Sequence, residues 1–206
     1  MLAIKYGASA LGLVSEMPSG PGVIDDSSIA EIASKVPPPI ATFLLTSKQN
    51  ADDIILQHSK TRTSTLQLVD HLPDEKLLIL RDKLPAIKLV QVIHVLDESS
   101  IDEAKKVQHF VDALLLDSGN PRLKVKELGG TGRTHNWEIS RNIVESVNIP
   151  VFLAGGLNPQ NVNEAIKAVQ PYGLDICSGV RTNGLLDEEK LKKFIRKVNE
   201  YNASKF

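Results

Sequence analysis

A carboxylate and three glycine-bearing turns follow apolar stretches in the second half of the chain. Asp117 directly follows the mostly apolar stretch 111–116, and the loop ELGGTGRTHNW occupies residues 127–137. Gly155-Gly156 and Ser178-Gly179 follow the next two apolar stretches. Glycine lets the backbone approach an anion closely, and backbone N–H groups satisfy the oxygens of that anion. We therefore expect a phosphate site beside a carboxylate, which suits chemistry on a phosphorylated small molecule.

Each of these features also has a simpler interpretation. A single glycine pair is explained by a tight turn, whereas three successive glycine-bearing strand ends favour a phosphate site. Asp117 could merely cap its own loop through the N–H groups of Ser118 and Gly119. Placed in a partly desolvated cavity, its pKa would rise, and the carboxyl group could act as a general acid.

Three further side chains are candidate substrate contacts. Gln67 is a polar residue within the apolar strand Leu66-Gln67-Leu68, so its amide needs a partner, either substrate or protein. His94 lies near the end of the apolar stretch 87–95, where it is either a site residue or a satisfied core histidine. Arg133 lies in the glycine loop, where it either meets an anion or is solvated.

Composition narrows the function classes. The chain has 206 residues, a net charge of -1 and 42% hydrophobic residues, which predicts one soluble domain over residues 1–206. The balanced charge gives no reason to expect nucleic acid or an anionic membrane as a partner, and no stretch is apolar enough to span a bilayer. Cys177 is the single cysteine, which excludes an internal disulfide and favours a cytoplasmic setting. Cys177 is expected to be an inert, buried strand residue, and the scattered histidines predict no metal site.

The elements that must position these residues alternate strictly between strand and helix. Seven short strands, apolar on both faces, are predicted at residues 9–14, 40–45, 64–69, 87–95, 111–116, 149–153 and 174–177. Helices are expected to begin at Ser27 or Ser28, Ser47, Asn158 and Asp187, among others. This alternation predicts an α/β fold, a (βα)8 TIM-type barrel that lacks its first strand. An open doubly wound sheet is the alternative, but phosphate-type loops after the last strands favour the barrel.

The segments GGTGRTHNW, VFLAGGLNPQNV and DICSGV resemble the phosphoribosylanthranilate isomerases of tryptophan biosynthesis. The resemblance implies a (βα)8 barrel without a cofactor that catalyses the Amadori rearrangement of N-(5′-phosphoribosyl)anthranilate. It implies that Asp117 is the general acid. It also implies a set of phosphate-binding residues: Gly130, Thr131, Gly132, Gly155, Gly156, Ser178 and Gly179.

The sequence departs from this family on the other half of the expected site. The chain contains no Lys-x-Cys-Gly motif, whose cysteine is the family's general base. Gly22 stands where the family motif Ser-Pro-Arg-Tyr has its arginine, and His94 replaces another arginine. Arg181 replaces the glutamate that usually follows Ser-Gly-Val, and the family's Gln-Leu-His-Gly has become Gln-Leu-Val-Asp at residues 67–70.

These departures predict an impaired isomerase, or else a different use of the same barrel. The open alternatives are a non-catalytic protein that binds a phosphate ligand and another sugar-phosphate isomerase. The missing strand predicts either that the sequence begins too late or that the chain is truly shortened. If the chain folds as given, we expect the N-terminal segment or a second copy to fill the gap, so both a monomer and a homodimer are open.

Overall fold

The computed structural model of the protein describes residues 1–18 and 20–204, in which strands and helices alternate. The seven strands of the main sheet are β1 (Ala10–Val14), β2 (Ala41–Thr46), β3 (Thr65–Leu68), β4 (Lys88–His94), β5 (Ala113–Asp117), β6 (Val151–Leu153) and β7 (Gly173–Leu174). The helices are α1 (Leu2–Lys5), α2 (Asp26–Lys35), α3 (Ala51–Thr61), α4 (Asp74–Lys83), α5 (Ser99–Val107), α6 (Trp137–Ser146), α7 (Val162–Val169) and α8 (Glu188–Ala203). A 3-10 turn, Ser178–Val180, leads into the hairpin β8 (Arg181–Thr182) and β9 (Leu185–Leu186).

The main sheet runs in chain order from β1 to β7, and every pairing in it is parallel. The curl of the sheet is evident at its two ends, since residues of β1 and residues that follow β7 line the same cavity. Within the described residues, β1 pairs only with β2 and β7 pairs only with β6, so two strand edges stay open. The prediction of a TIM-type barrel that lacks one strand is confirmed. The doubly wound alternative is wrong, because the strand order never reverses.

The segment before β1 does not close this gap. It forms the short helix α1, and the Tyr6 hydroxyl donates a 2.6 Å hydrogen bond to Glu188 on α8. The Lys5 ammonium lies 3.7 Å from the same carboxylate. The outer layer of helices therefore closes between α1 and α8 while the inner layer of strands stays open. Of the two expected ways to fill the gap, the N-terminal segment is therefore wrong, and a second copy of the chain stays a prediction.

Alternation along the strands divides the apolar side chains between two cores. On β5, Leu114 and Leu116 pack towards the helices, whereas Ala113 and Leu115 belong to the cluster inside the curled sheet. Side chains two residues apart on a strand share a face. Asp117, at the end of β5, therefore continues the inner row.

Several boundaries differ from the sequence predictions because nearby side chains supply better caps. Asp25, rather than Ser27 or Ser28, accepts the N–H of Ser28 and caps α2, at 2.8 Å. Asn50 caps α3 in place of Ser47, and Asn161 precedes α7 because Asn158 instead forms a turn. The cap at Asp187 is confirmed by the 3.1 Å hydrogen bond that its carboxylate accepts from the Lys190 N–H.

Candidate functional site

The carboxyl ends of the strands open into one cavity, whose wide end we call the mouth. Two carboxylates, Asp117 and Asp175, line this cavity, and so do Cys177 and Arg181. The remaining lining includes the glycine-bearing loops that the sequence singled out. Because parallel strands deliver their carboxyl ends to one edge, residues distant in the sequence meet here.

Asp117 lies at the inner wall of the cavity and is 7% exposed. Burial raises the pKa of its carboxyl group, while hydrogen bonds from the Ser118 and Gly119 N–H groups and the nearby His94 act in the opposite direction. The glycine loop lies directly over it, since a Cβ on Gly129 would be 3.3 Å from the Asp117 Oδ2. The two interpretations of this residue are therefore compatible, because it accepts loop N–H groups and also faces the cavity.

Asp175 is a second acidic group that the sequence reasoning missed. It follows β7, and burial together with the negative charge of Asp117 raises its pKa from 3.8 to about 6. Because burial raises the pKa of both carboxyl groups, each holds a proton more readily than an exposed aspartate does. A signal was present in the sequence: Asp175 interrupts an apolar segment just before Ser178-Gly179, as Asp117 ends one before the glycine loop.

Four residues that line the cavity have backbone N–H groups without a backbone acceptor. Within the described residues, the N–H groups of Gly132, Gly155, Gly156 and Ser178 donate to no backbone carbonyl oxygen. Gly155 and Gly156 have φ angles of +76° and +63°, and a Cβ on Gly132 would lie 3.8 Å from the Ser178 Oγ. These donors can satisfy the oxygens of an anion. Gly130 and Thr131 line the same cavity, whereas Gly179 does not, and a Cβ on Gly179 would overlap the Leu157 carbonyl oxygen.

The glycine loop lies across the mouth of the cavity. A Cβ on Gly130 would overlap Pro21, and one on Gly156 would lie 2.5 Å from the Arg133 carbonyl carbon. The loop is also tied down by the ion pair between Lys126 and the buried Asp70. The loop thus covers the site while it packs against two other loops.

The three candidate contacts occupy different positions. Gln67 is 5% exposed and lines the cavity, as a substrate contact would. Arg133 forms an ion pair with Glu127 and does not line the cavity. His94 lies behind Asp117, where its Nε2 is 2.9 Å from the Val69 carbonyl oxygen and its buried Nδ1 has no partner among the described residues. His94 therefore does not line the cavity and influences the site only through its electrostatic effect on Asp117.

The prediction that Cys177 lies in a buried strand is wrong. The strand β7 ends at Leu174, so Cys177 lies in the following loop, where it is half-buried and lines the cavity. Among the described residues, no group of three His, Cys, Asp or Glu side chains is close enough together to hold a metal ion. No helix in the described part of the chain is both long and apolar enough to cross a bilayer.

Comparison with known proteins decides the family. The family model described as N-(5′-phosphoribosyl)anthranilate (PRA) isomerase matches residues 3–197. The chain belongs to the phosphoribosylanthranilate isomerase family. The isomerase of Methanocella arvoryzae is 35% identical over 195 residues, which cover 95% of this chain and 86% of that protein. Isomerase 2 of Methanosarcina mazei is 36% identical over 200 residues, covering 96% and 88% of the two chains.

Solved structures of phosphoribosylanthranilate isomerases also share the fold. The enzyme of Thermotoga maritima aligns with a TM-score of 0.80 at 26% identity, over 97% of this chain and 92% of that one. A second structure shows monomers generated from that dimeric enzyme, and it aligns with a TM-score of 0.77 at 23% identity, over 97% of this chain and 91% of that one. The resemblance inferred from the three sequence segments is confirmed, and with it the TIM-type barrel and the isomerase class.

Proposed function

We propose that this chain catalyses the Amadori rearrangement of N-(5′-phosphoribosyl)anthranilate and that Asp117 is its general acid. The observation that carries this proposal is a buried carboxyl group with a raised pKa, beside a wall of unpaired backbone N–H groups. The acid donates its proton to the ribose ring oxygen as the bond from that oxygen to C1′ breaks. An iminium ion between C1′ and the anthranilate nitrogen is the product of this step.

The phosphate is held by the glycine-bearing loops. The N–H groups of Gly132, Gly155, Gly156 and Ser178 have no competing backbone acceptor within the described residues. Thr131 extends this set, because its hydroxyl lies 2.8 Å from the Ser118 hydroxyl and is held at the edge of the cavity. A phosphate bound there fixes the distance of the ribose from Asp117. Binding energy at the phosphate thus holds the ribose in position for proton transfer.

The second half of the reaction removes a proton from C2′, and we assign this step in the given chain to Asp175. Its pKa of about 6 leaves it mostly ionised at neutral pH, so it can accept that proton. The electrons of the broken C–H bond neutralise the iminium, and the resulting enol tautomerises to the ketose. Asp175 stands in for the family's cysteine base, which is absent from this sequence, and we expect turnover below that of relatives that carry the cysteine.

The remaining proposals concern the setting of the enzyme. We expect a cytoplasmic enzyme that needs no cofactor and acts on a phosphorylated small molecule. A homodimer is proposed beside the monomer, because the open edges of β1 and β7 offer unpaired backbone groups to a second chain. Neither nucleic acid nor a membrane is expected as a partner, given the net charge of -1.

A genetic experiment tests the proposal. A bacterium that lacks its own phosphoribosylanthranilate isomerase is supplied with this chain and grown without tryptophan. Growth is expected with the unaltered chain and with Asp82→Asn, whose carboxylate is 74% exposed on α4. Asp117→Asn is expected to abolish growth at equal protein level. Growth with Asp117→Asn would refute the role of Asp117, and failure of every variant would refute the isomerase activity of this chain.

A further inference from the structure

The side chain of Arg181 lies at the mouth of the cavity on a small hairpin of its own. Strands β8 and β9 pair antiparallel, with Arg181 opposite Leu186. Asn183 and Gly184 form the turn with φ angles of +50° and +79°, a pattern typical of tight two-residue hairpins. The hairpin holds its arginine firmly, because the Arg181 Nη1 donates a 2.6 Å hydrogen bond to the Gly184 carbonyl oxygen.

The guanidinium group of Arg181 reaches across the mouth to Gly22. A Cβ on Gly22 would lie 3.4 Å from the Arg181 Nη2 and 4.0 Å from its Cζ. Both residues line the cavity. Two positions at which the sequence departs from its family, separated by most of the chain, are therefore neighbours in space. A Cβ at position 22 would only touch this guanidinium, whereas a longer side chain built in the same direction would compete with it for space.

Arg181 differs from the other cations near the mouth because it has no acidic partner. Lys126 is paired with Asp70, and Arg133 is paired with Glu127. No ion pair of Arg181 occurs within residues 1–18 and 20–204. Its Nη1 is occupied by Gly184, which leaves the N–H groups of Nη2 and Nε for another acceptor. A planar guanidinium edge of this kind matches a carboxylate with two parallel hydrogen bonds.

The substrate of the proposed reaction carries two anionic groups at opposite ends. Its phosphate is accounted for by the unpaired N–H groups of the glycine loops. Its anthranilate carboxylate needs a cation, and the ionised form of Asp175 on the cavity wall would repel it. The unpaired guanidinium is the one group among the described cavity-lining residues with a positive charge to offer.

We propose that Arg181 binds the aromatic carboxylate of the substrate and so determines specificity for anthranilate. This inference rests on the proposed function, and it adds a recognition role to a residue on the hairpin after the last strand of the sheet. The hairpin fixes the guanidinium at the mouth, while the phosphate loops fix the other end of the substrate. With the substrate held at both ends, its ribose is positioned beside the proposed acid, Asp117.

Binding measurements with two stable compounds test this assignment without relying on turnover. The first is reduced 1-(o-carboxyphenylamino)-1-deoxyribulose 5-phosphate, with which a related isomerase has been crystallised. The second is the same molecule without its carboxyl group. Calorimetry is performed on the unaltered chain, on Arg181→Gln, on Arg181→Lys, and on Arg196→Gln as a matched control on α8. Arg196 is 65% exposed, and its partner is Glu200.

The expected result is selective. Arg181→Gln weakens binding of the carboxylated compound by about 10–100-fold, the range for a lost charge-assisted pair, and leaves the decarboxylated compound unchanged. Arg181→Lys keeps the charge without the planar fork and gives an intermediate loss. Arg196→Gln changes neither affinity. Far-ultraviolet circular dichroism confirms that each variant is folded.

Three outcomes would overturn the inference. An equal loss for both compounds would assign Arg181 to the phosphate, and no loss for either would leave it outside the site. If the unaltered chain binds neither compound, the proposed function fails together with the inference. Binding by the unaltered chain that is insensitive to Arg181 would sink the inference alone.

Discussion

Replacement of Asp175 by asparagine should stabilise the folded chain at neutral pH but not at acidic pH. The folded-state pKa of Asp175 is raised from 3.8 to about 6, so its ionised form is disfavoured by folding. For a carboxyl group with a raised pKa, the favourable contribution is complete below its unfolded pKa and is lost as the pH rises through the folded value. Asparagine has no charge to bury, so the variant avoids this loss.

The size of the effect follows from the shift. A change from 3.8 to about 6 corresponds to at most about 3 kcal/mol at 1.36 kcal/mol per pKa unit. Asp175 borders the cavity, and solvent there screens part of the charge, so we expect about 1–2 kcal/mol. The unfolding free energy of Asp175→Asn, minus that of the unaltered chain, should rise by this amount between pH 4 and pH 7.5.

Urea unfolding followed by circular dichroism at both pH values measures this difference. Asp82→Asn is the matched control, because it removes a carboxylate that is 74% exposed. Its difference from the unaltered chain should be nearly the same at both pH values. If Asp175→Asn behaves like this control, or loses stability at pH 7.5 relative to pH 4, the assignment of a raised pKa to Asp175 is wrong.

Two other substitutions test how the glycine loop is held. Gly130→Ala should lower the free energy of unfolding by about 1–3 kcal/mol in urea, because φ is +68° and a Cβ would overlap Pro21. It should also speed proteolysis within residues 127–137. Gly184→Ala is the control for a positive φ alone, since nothing lies within 4 Å of its Cβ. Equal proteolysis of the two variants would contradict the packing of Gly130 on Pro21. Lys126→Met should cost about 1–3 kcal/mol in the same measurement, because the Asp70 side chain, 8% exposed, loses its cation. The loss should largely disappear when Asp70→Asn is added, and an additive double variant would show that the two side chains act independently.

The fold could be predicted from the sequence because its signals are local and repeated. Seven apolar runs, separated by turn and capping residues, gave seven parallel strands in chain order. The mispredicted helix starts arose where two nearby side chains could each cap the helix, and the sequence alone does not show which of them does. Asn158, for example, accepts the N–H groups of residues 160 and 161 in a turn, which delays the start of α7 to Val162.

The site was only partly predictable. Asp117 and the glycine loops could be predicted because a polar residue or a glycine pair directly after an apolar stretch marks the end of a strand. Arg181 and Gly22 acquire a meaning only when the curled sheet brings the two ends of the chain together. Arg133 was a reasonable candidate for an anion contact, but Glu127, six residues earlier, pairs with its guanidinium instead.

The most direct test of the account is turnover of freshly generated N-(5′-phosphoribosyl)anthranilate by the purified chain, followed as loss of its fluorescence. The unaltered chain should consume the substrate, and Asp117→Asn should lower kcat by about 10²–10⁴-fold, with KM nearly unchanged because the phosphate loops remain intact. The control Asp82→Asn should match the unaltered chain. Equal rates for Asp117→Asn and the unaltered chain, or no turnover by either, would contradict the claim that this barrel is an isomerase whose acid is Asp117.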